Sequence, residues 1–226
     1  MIELRNLNKA YVVNGVRQVV ARDLTFTFPS GESVGLLGRN GAGKSSLLRM
    51  IAGIMDPDSG EIVSTGTISW PVGFAGSFHG DLTGAQNAKF VARIYGVDTD
   101  EVVDFVEDFA GLGPHLWLPV RTYSSGMRSR LAFAVSMAIR FDTYLIDEVT
   151  SVGDSAFRQK SERILSERLE TSGAIIVSHA NELLRRMCTS GAVLMNGRLF
   201  YYERIDRAIE HHEHVMRGML PPWMRR

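Results

Sequence analysis

The chain is most constrained by the run Gly38-Arg39-Asn40-Gly41-Ala42-Gly43-Lys44-Ser45, spaced GxxxxGKS, directly after the apolar stretch Ser33-Val34-Gly35-Leu36-Leu37. The apolar stretch reads as a buried strand and Ser46 to Ala52 as a helix, so the glycine-rich run is a strand-to-helix loop. Its glycines let successive backbone N–H groups converge on a phosphate oxygen with no Cβ in the way. Lys44 supplies a point charge for the β- and γ-phosphates, and Ser45 offers a hydroxyl to Mg²⁺. The helix behind the loop aims its positive dipole end at the same anion. The spacing therefore predicts a nucleoside triphosphate site built on Gly38, Asn40, Gly41, Ala42, Gly43, Lys44, Ser45 and Ser46.

At 226 residues the expectation is one large α/β domain with, at most, a smaller subdomain. Lysine plus arginine and aspartate plus glutamate balance at 25 each, with no long basic run, which argues against nucleic acid as a partner. Cys188 is the only cysteine, so no internal disulfide forms and a reducing compartment fits. No apolar run approaches the roughly 18 to 20 residues that span a bilayer, and Met1 to Arg5 has no signal-peptide core. The expectation is a cytosolic chain that serves any membrane process by docking on a separate membrane subunit.

Along the chain, the first forty residues read as strands, with alternation in Leu24-Thr25-Phe26-Thr27-Phe28 and a hairpin turn at Asn14-Gly15. From about 83 to 140 the spacing becomes helical and predicts a helical subdomain. Its first helix is expected to bury Phe90, Val91, Ile94 and Tyr95, and its second Val102, Val103, Val106, Phe109 and Ala110, with Gly96 and Gly111 as C-caps. Tyr144-Leu145-Ile146 and Ala174-Ile175-Ile176-Val177 then read as buried strands separated by a helix, which implies a parallel sheet. Ala192 to Phe200 reads as a hairpin with an Asn196-Gly197 turn, and 203–226 as a C-terminal helix and tail.

In an open parallel sheet, ligands collect at the carboxyl ends of the strands. Asp147 and Glu148 close one such strand. Asp147 is suited to hold Mg²⁺, directly or through water, and Glu148 to polarise the water attacking the γ-phosphate. His179 closes the next strand and is assigned to sensing the γ-phosphate. Tyr123-Ser124-Ser125-Gly126-Met127 precedes a helix and offers a second anion site, although its plainer reading is an ordinary serine N-cap.

These motifs, in this order, resemble the nucleotide-binding subunits of ABC transporters over nearly the whole chain. Gly38 to Ser45 resembles Walker A, Asp147-Glu148 the end of Walker B with its catalytic glutamate, and His179 the switch histidine. Ser124-Ser125-Gly126-Met127 is similar to the LSGGQ signature, with Tyr123, Ser125 and Met127 replacing its leucine, first glycine and glutamine. Asp154 falls at the D-loop aspartate, and Tyr11 where the family places an aromatic that stacks on adenine. The resemblance implies one ABC nucleotide-binding domain over 1–226, with a mostly parallel core sheet, an N-terminal antiparallel β layer and a helical subdomain. It implies ATP and Mg²⁺ as cofactors, and a head-to-tail homodimer in which Walker A of one chain faces Ser124 and Gly126 of the other across ATP. It also implies two copies of a polytopic permease subunit, export partners reached through that permease, and a place at the cytoplasmic face of the bacterial inner membrane.

One departure stands out, because the family's Q-loop glutamine would fall near Phe74 and the stretch Trp70 to His79 contains no glutamine. The aromatic, glycine-rich segment Ser69 to Gly80 instead resembles subunits that export bacterial capsular polysaccharide, as does Asp147 to Asp154. His79 is a weak candidate to replace the glutamine. Rival readings are an exporter of teichoic acid, lipid or drug, a non-transport ABC ATPase, and a nucleotide switch that hydrolyses little. In the tail, His211 and His214 have a spacing that can share a metal, but Ile205, Ile209, His212 and Met216 read more simply as one face of an amphipathic helix.

Overall fold

The apolar runs Ser33 to Leu37, Tyr144 to Ile146 and Ala174 to Val177 each become a strand. The computed structural model describes residues 1–219 except 14, 75, 77 and 149–153. Two units are distinguished: Met1–Pro71 with Asp142–Glu148 and Thr171–Arg226, and Val72–Phe141 with Val149–Glu170.

The first unit carries two sheets. β1 (Ile2–Val13), β2 (Val16–Phe28) and β4 (Ser59–Ser64) form an antiparallel layer in the order β2-β1-β4. Val13 pairs with Val16 across the hairpin, whose Asn14 lies outside the described residues. Alternation in β2 buries Leu24 and Phe28 while Thr25 and Thr27 face out, the period-2 pattern of a half-covered sheet. The second sheet has the order β5 (Ile68–Pro71), β6 (Thr143–Asp147), β7 (Gly173–Val177), β3 (Ser33–Leu37), β8 (Ser190–Met195), β9 (Arg198–Tyr202). All neighbours are parallel except β8 and β9, which are joined through Asn196-Gly197 with φ of 51° and 77°, as a type I′ hairpin requires. Every residue of β7 is buried, as expected of a central strand covered on both faces.

Three helices belong to this unit: α1 (Lys44–Ile51), α6 (Asn181–Met187) and α7 (Ile205–Met216). α7 approaches the sheet closely because Gly191 has no side chain: a Cβ there would lie 2.5 Å from the Ala208 methyl. The helix buries Ile205, Ala208, Ile209, His211 and Val215. The expected stripe through His212 and Met216 is thus corrected. Met216 is exposed, and the buried line drifts to His211 and Val215 because it starts on Ile205 and Ala208.

The second unit holds α2 (Gly84–Ile94), α3 (Thr99–Ala110), α4 (Ser125–Ala138) and α5 (Ser155–Leu169). Thr83 and Gln86 form a reciprocal capping box at the start of α2, and the Asp98 carboxylate accepts from two amides of α3. Gly111 ends α3 in the left-handed conformation, at φ 59°. The Phe109 ring stacks on Phe133 at 5.8 Å and meets Phe157 edge-on at 5.6 Å, tying α3, α4 and α5 together. The face expected of α2 is not the one it buries. Ala85, Asn87, Ala88, Val91 and Ala92 are buried, while Phe90 and Ile94 are 55% and 62% exposed. Small side chains let α2 pack closely, and the bulky ones are left on its outer face. Among the described residues, no helix is long and apolar enough to cross a membrane.

Candidate nucleotide site

The strand order β6-β7-β3 sets three loop-bearing strand ends side by side. Leu37 ends β3 and leads into the glycine-rich loop, while Asp147 of β6 pairs in register with Val177 of β7. The Glu148 amide then donates to the Val177 carbonyl at 3.0 Å, and His179 follows two residues beyond Val177. Sheet register alone therefore delivers Lys44, Asp147, Glu148 and His179 to one edge.

The loop is braced by β2, which sequence reasoning did not implicate. Gly43 sits at φ 102°, and a Cβ on it would lie 2.5 Å from Val20 Cγ1, so only glycine fits. The Gln18 amide donates to the Gly41 carbonyl. α1 starts without a side-chain cap, which leaves its first N–H groups for an anion. Lys44 Nζ donates to the Gly38 and Arg39 carbonyls at 2.7 and 3.2 Å. Burial pushes its pKa down, and the Glu148 and Asp147 carboxylates act against that shift. A buried ammonium hydrogen-bonded to loop carbonyls, with these acids acting on it at longer range, is well disposed to receive phosphate oxygens.

Glu148 has a left-handed backbone, φ 56°, an uncommon state for a residue with a side chain and one that clusters at functional sites. Its Oε1 lies 2.8 Å from His179 Nε2, with both side chains about half exposed. Together these groups face a cavity of about 410 Å³. Asn40, Gly41, Gly43, Lys44, Ser45 and Ser46 line it, along with Glu148, His179, Gln18, Val20 and Tyr11. Tyr11 supplies a flat wall, with its hydroxyl against Met55 Sδ at 2.6 Å. Ala42 lines the adjoining cavity, and Gly38 contributes its carbonyl to Lys44. The Ser45 hydroxyl and the Asp147 carboxylate are hard oxygen donors, the kind that suit Mg²⁺ bound together with phosphates.

Ser124, Gly126 and Asp154 lie in the second unit. Ser124 caps α4, its hydroxyl accepting from the Met127 amide at 3.2 Å. Gly126 has only Ser124 Oγ within 4 Å of a notional Cβ, so no local packing demands glycine there, although glycine inside a helix costs about 1 kcal/mol against alanine. Tyr123, in place of the signature leucine, is buried and donates to the His115 carbonyl at 2.6 Å. The Asp154 carboxylate caps α5 through the Phe157 amide and accepts from Arg130 at 2.6 Å, which links it to α4. The segment 149–153 lies outside the described residues.

The secondary candidates resolve locally. The His79 ring accepts from the Asp81 amide at 3.3 Å within its own turn. His211 Nδ1 pairs with the Tyr202 hydroxyl, and His214 Nδ1 with the Glu210 carbonyl, each at 2.8 Å. Among the described residues no group of His, Cys, Asp and Glu is gathered as a metal site.

A parallel sheet with a glycine-rich loop at its carboxyl edge, an acidic pair beside it and a helical unit inserted in the chain defines an α/β nucleotide-binding cassette. The family model described as ABC transporter matches residues 21–151. The chain is 49% identical over 216 residues to the polysialic acid transport ATP-binding protein KpsT of Escherichia coli, covering 94% of this chain and 96% of that protein. It is 45% identical to the capsule polysaccharide export ATP-binding protein CtrD of Neisseria meningitidis serogroup B, covering 94% and 98%. Among solved structures, a dimeric ATP-binding cassette in a post-hydrolysis state bound to ADP and Pi superposes with a TM-score of 0.75 at 19% identity, covering 91% of this chain and 99% of that one. The chain belongs to the ABC transporter family and has the fold of its ATPase cassettes.

Proposed function

We propose that this chain is the ATP-hydrolysing subunit of an exporter that moves capsular polysaccharide across the bacterial inner membrane. The observation that carries the chemistry is the convergence of Lys44, Glu148 and His179 on one cavity. The cargo reading rests on the near full-length similarity to KpsT and CtrD.

Tyr11 stacks on the adenine, the amides of Gly38 to Ser46 cradle the phosphates, and Lys44 leaves its loop carbonyls for the β- and γ-phosphate oxygens. Ser45 and Asp147 would hold Mg²⁺, which would neutralise phosphate charge. Glu148 orients a water in line with the γ-phosphate and takes up its proton as the bond from the γ-phosphorus to the β-phosphate oxygen breaks, giving ADP and phosphate. His179, released from Glu148, contacts the γ-phosphate.

Two chains close head to tail so that Ser124 and Gly126 of one meet the nucleotide of the other, with Asp154 beside them. Gly126, with open space at its Cβ position, supports such a close approach. The exposed Phe90 and Ile94 of α2 support docking of the helical unit on an apolar membrane subunit, present in two copies. Domain closure on ATP and reopening after hydrolysis then drive the permease from the cytoplasmic face.

Replacement of the ATP-binding subunit in a capsule-producing bacterium tests this reading. The wild-type chain should restore surface polysaccharide and Lys44→Ala should not. Restoration by both, or by neither while the protein accumulates at normal levels, contradicts it.

A further inference from the structure

Helix α7 is more than a cover for the sheet, because it also reaches the start of α6 and the cavity adjoining the nucleotide site. The Glu213 carboxylate accepts from Asn181 Nδ2 at 3.3 Å, two residues beyond His179. Val215 lines the cavity that runs along Asn40, Gly41 and Ala42. Between these anchors, His212 is half-buried and lies within electrostatic reach of both Lys44 and His179. Its Nδ1 is fully buried and has no hydrogen-bond partner among the described residues. Of the neighbouring histidines, His211 pairs through Nδ1 with Tyr202, its Nε2 also being buried without a partner among the described residues, and His214 bonds its own helix. A buried nitrogen left unbonded is costly, and proteins seldom keep one without use.

On the reading of the site given above, we propose that His212 is a positioning residue that supports His179 when the γ-phosphate is bound, and so helps the site distinguish a nucleoside triphosphate from a diphosphate. Without nucleotide, His179 Nε2 faces Glu148 at 2.8 Å. Contact with a γ-phosphate requires His179 to turn from Glu148, and His212 takes up a hydrogen bond to the turned imidazole. Burial first, then the charges of Lys44 and His179, push the His212 pKa down, with Glu213 opposing. His212 therefore meets the site as a neutral hydrogen-bonding ring and not as a further cation, which would attract any phosphate alike. ADP, with no γ-phosphate to turn His179, gains nothing from it.

The test is the affinity of the full chain for the β,γ-imido analogue of ATP and for ADP, measured by calorimetry. His212→Phe keeps the ring and removes both nitrogens. It should weaken the imido analogue about tenfold and change ADP by less than about twofold, the size of one lost hydrogen bond. His212→Asn, which keeps a polar atom at the Nδ1 position, should restore most of the loss. It also provides the same triphosphate-to-diphosphate comparison should the phenylalanine variant not fold. In a His179→Ala background, His212→Phe should have no further effect. Equal loss for both nucleotides, no loss for either, or full retention of the effect without His179 overturns the proposal. Lys44→Ala separates the two levels: if it binds both nucleotides as tightly as wild type, the reading of the site itself fails.

Discussion

Glu148 Oε1 and His179 Nε2 stand 2.8 Å apart beyond the ends of two adjacent parallel strands, and both line the cavity that Lys44 faces. On the proposed reading, this pairing is what a bound γ-phosphate has to break. His179→Ala should weaken the β,γ-imido analogue of ATP by about tenfold or more while leaving ADP within about twofold, and should lose about 10²-fold or more in turnover at saturating ATP, the range for a group acting on the reacting centre. Phosphate release alongside equilibrium binding checks this. Unchanged turnover would make His179 a surface residue.

The phosphate loop rests on Val20 as much as on its own glycines. Gly43→Ala should abolish measurable nucleotide binding, since its Cβ would lie 2.5 Å from Val20 Cγ1 and its φ of 102° strains any side chain. Adding Val20→Ala should recover only part of the binding, because the clash is removed and the backbone strain of about 1–3 kcal/mol stays. A fluorescent nucleotide titration of the three proteins decides.

What could be read in advance divides along physical lines. The loop Gly38 to Ser45 and the strand-end positions of Asp147 and His179 were legible because spacing and strand ends are local. Gln18 and Val20 were not: they act on the loop from a strand that meets it only in the folded chain, and no pattern marks them. The buried face of α2 was misjudged for a related reason. Large apolar residues were weighed more heavily than alanines, yet Ala85, Ala88 and Ala92 pack inward and Phe90 and Ile94 face out. The tail showed the same bias, with Met216 favoured over the buried His211.

His211 carries a pH dependence. Burial pushes its pKa down, and His212 and His214 act in the same direction. A histidine kept neutral in the fold but free to protonate when unfolded contributes stability that is complete above about pH 6.5 and lost as pH falls through that value toward the depressed one. Thermal stability should therefore drop from pH 7.5 to 5.5. His211→Phe, which keeps the aromatic contacts with Phe200 and Tyr202, should flatten the slope by the equivalent of about one proton. An identical slope in both proteins would rule this out.

Head-to-tail closure predicts that Glu148→Gln, which binds ATP without clearing it, runs at twice the monomer mass in light scattering with ATP and Mg²⁺ and as a monomer without them. Lys44→Ala should stay monomeric throughout. Ser124→Arg in the Glu148→Gln background should also remain monomeric, because its side chain would fill the space meant for the partner's phosphates.

The assignment of Glu148 is tested most directly by phosphate release from the purified chain with ATP and Mg²⁺, measured for wild type and Glu148→Gln at matched, saturating occupancy. The predicted result is turnover in the wild type and a fall of about 10²-fold or more in Glu148→Gln with nucleotide still bound. Equal rates in the two proteins would contradict it and remove Glu148 from the reaction.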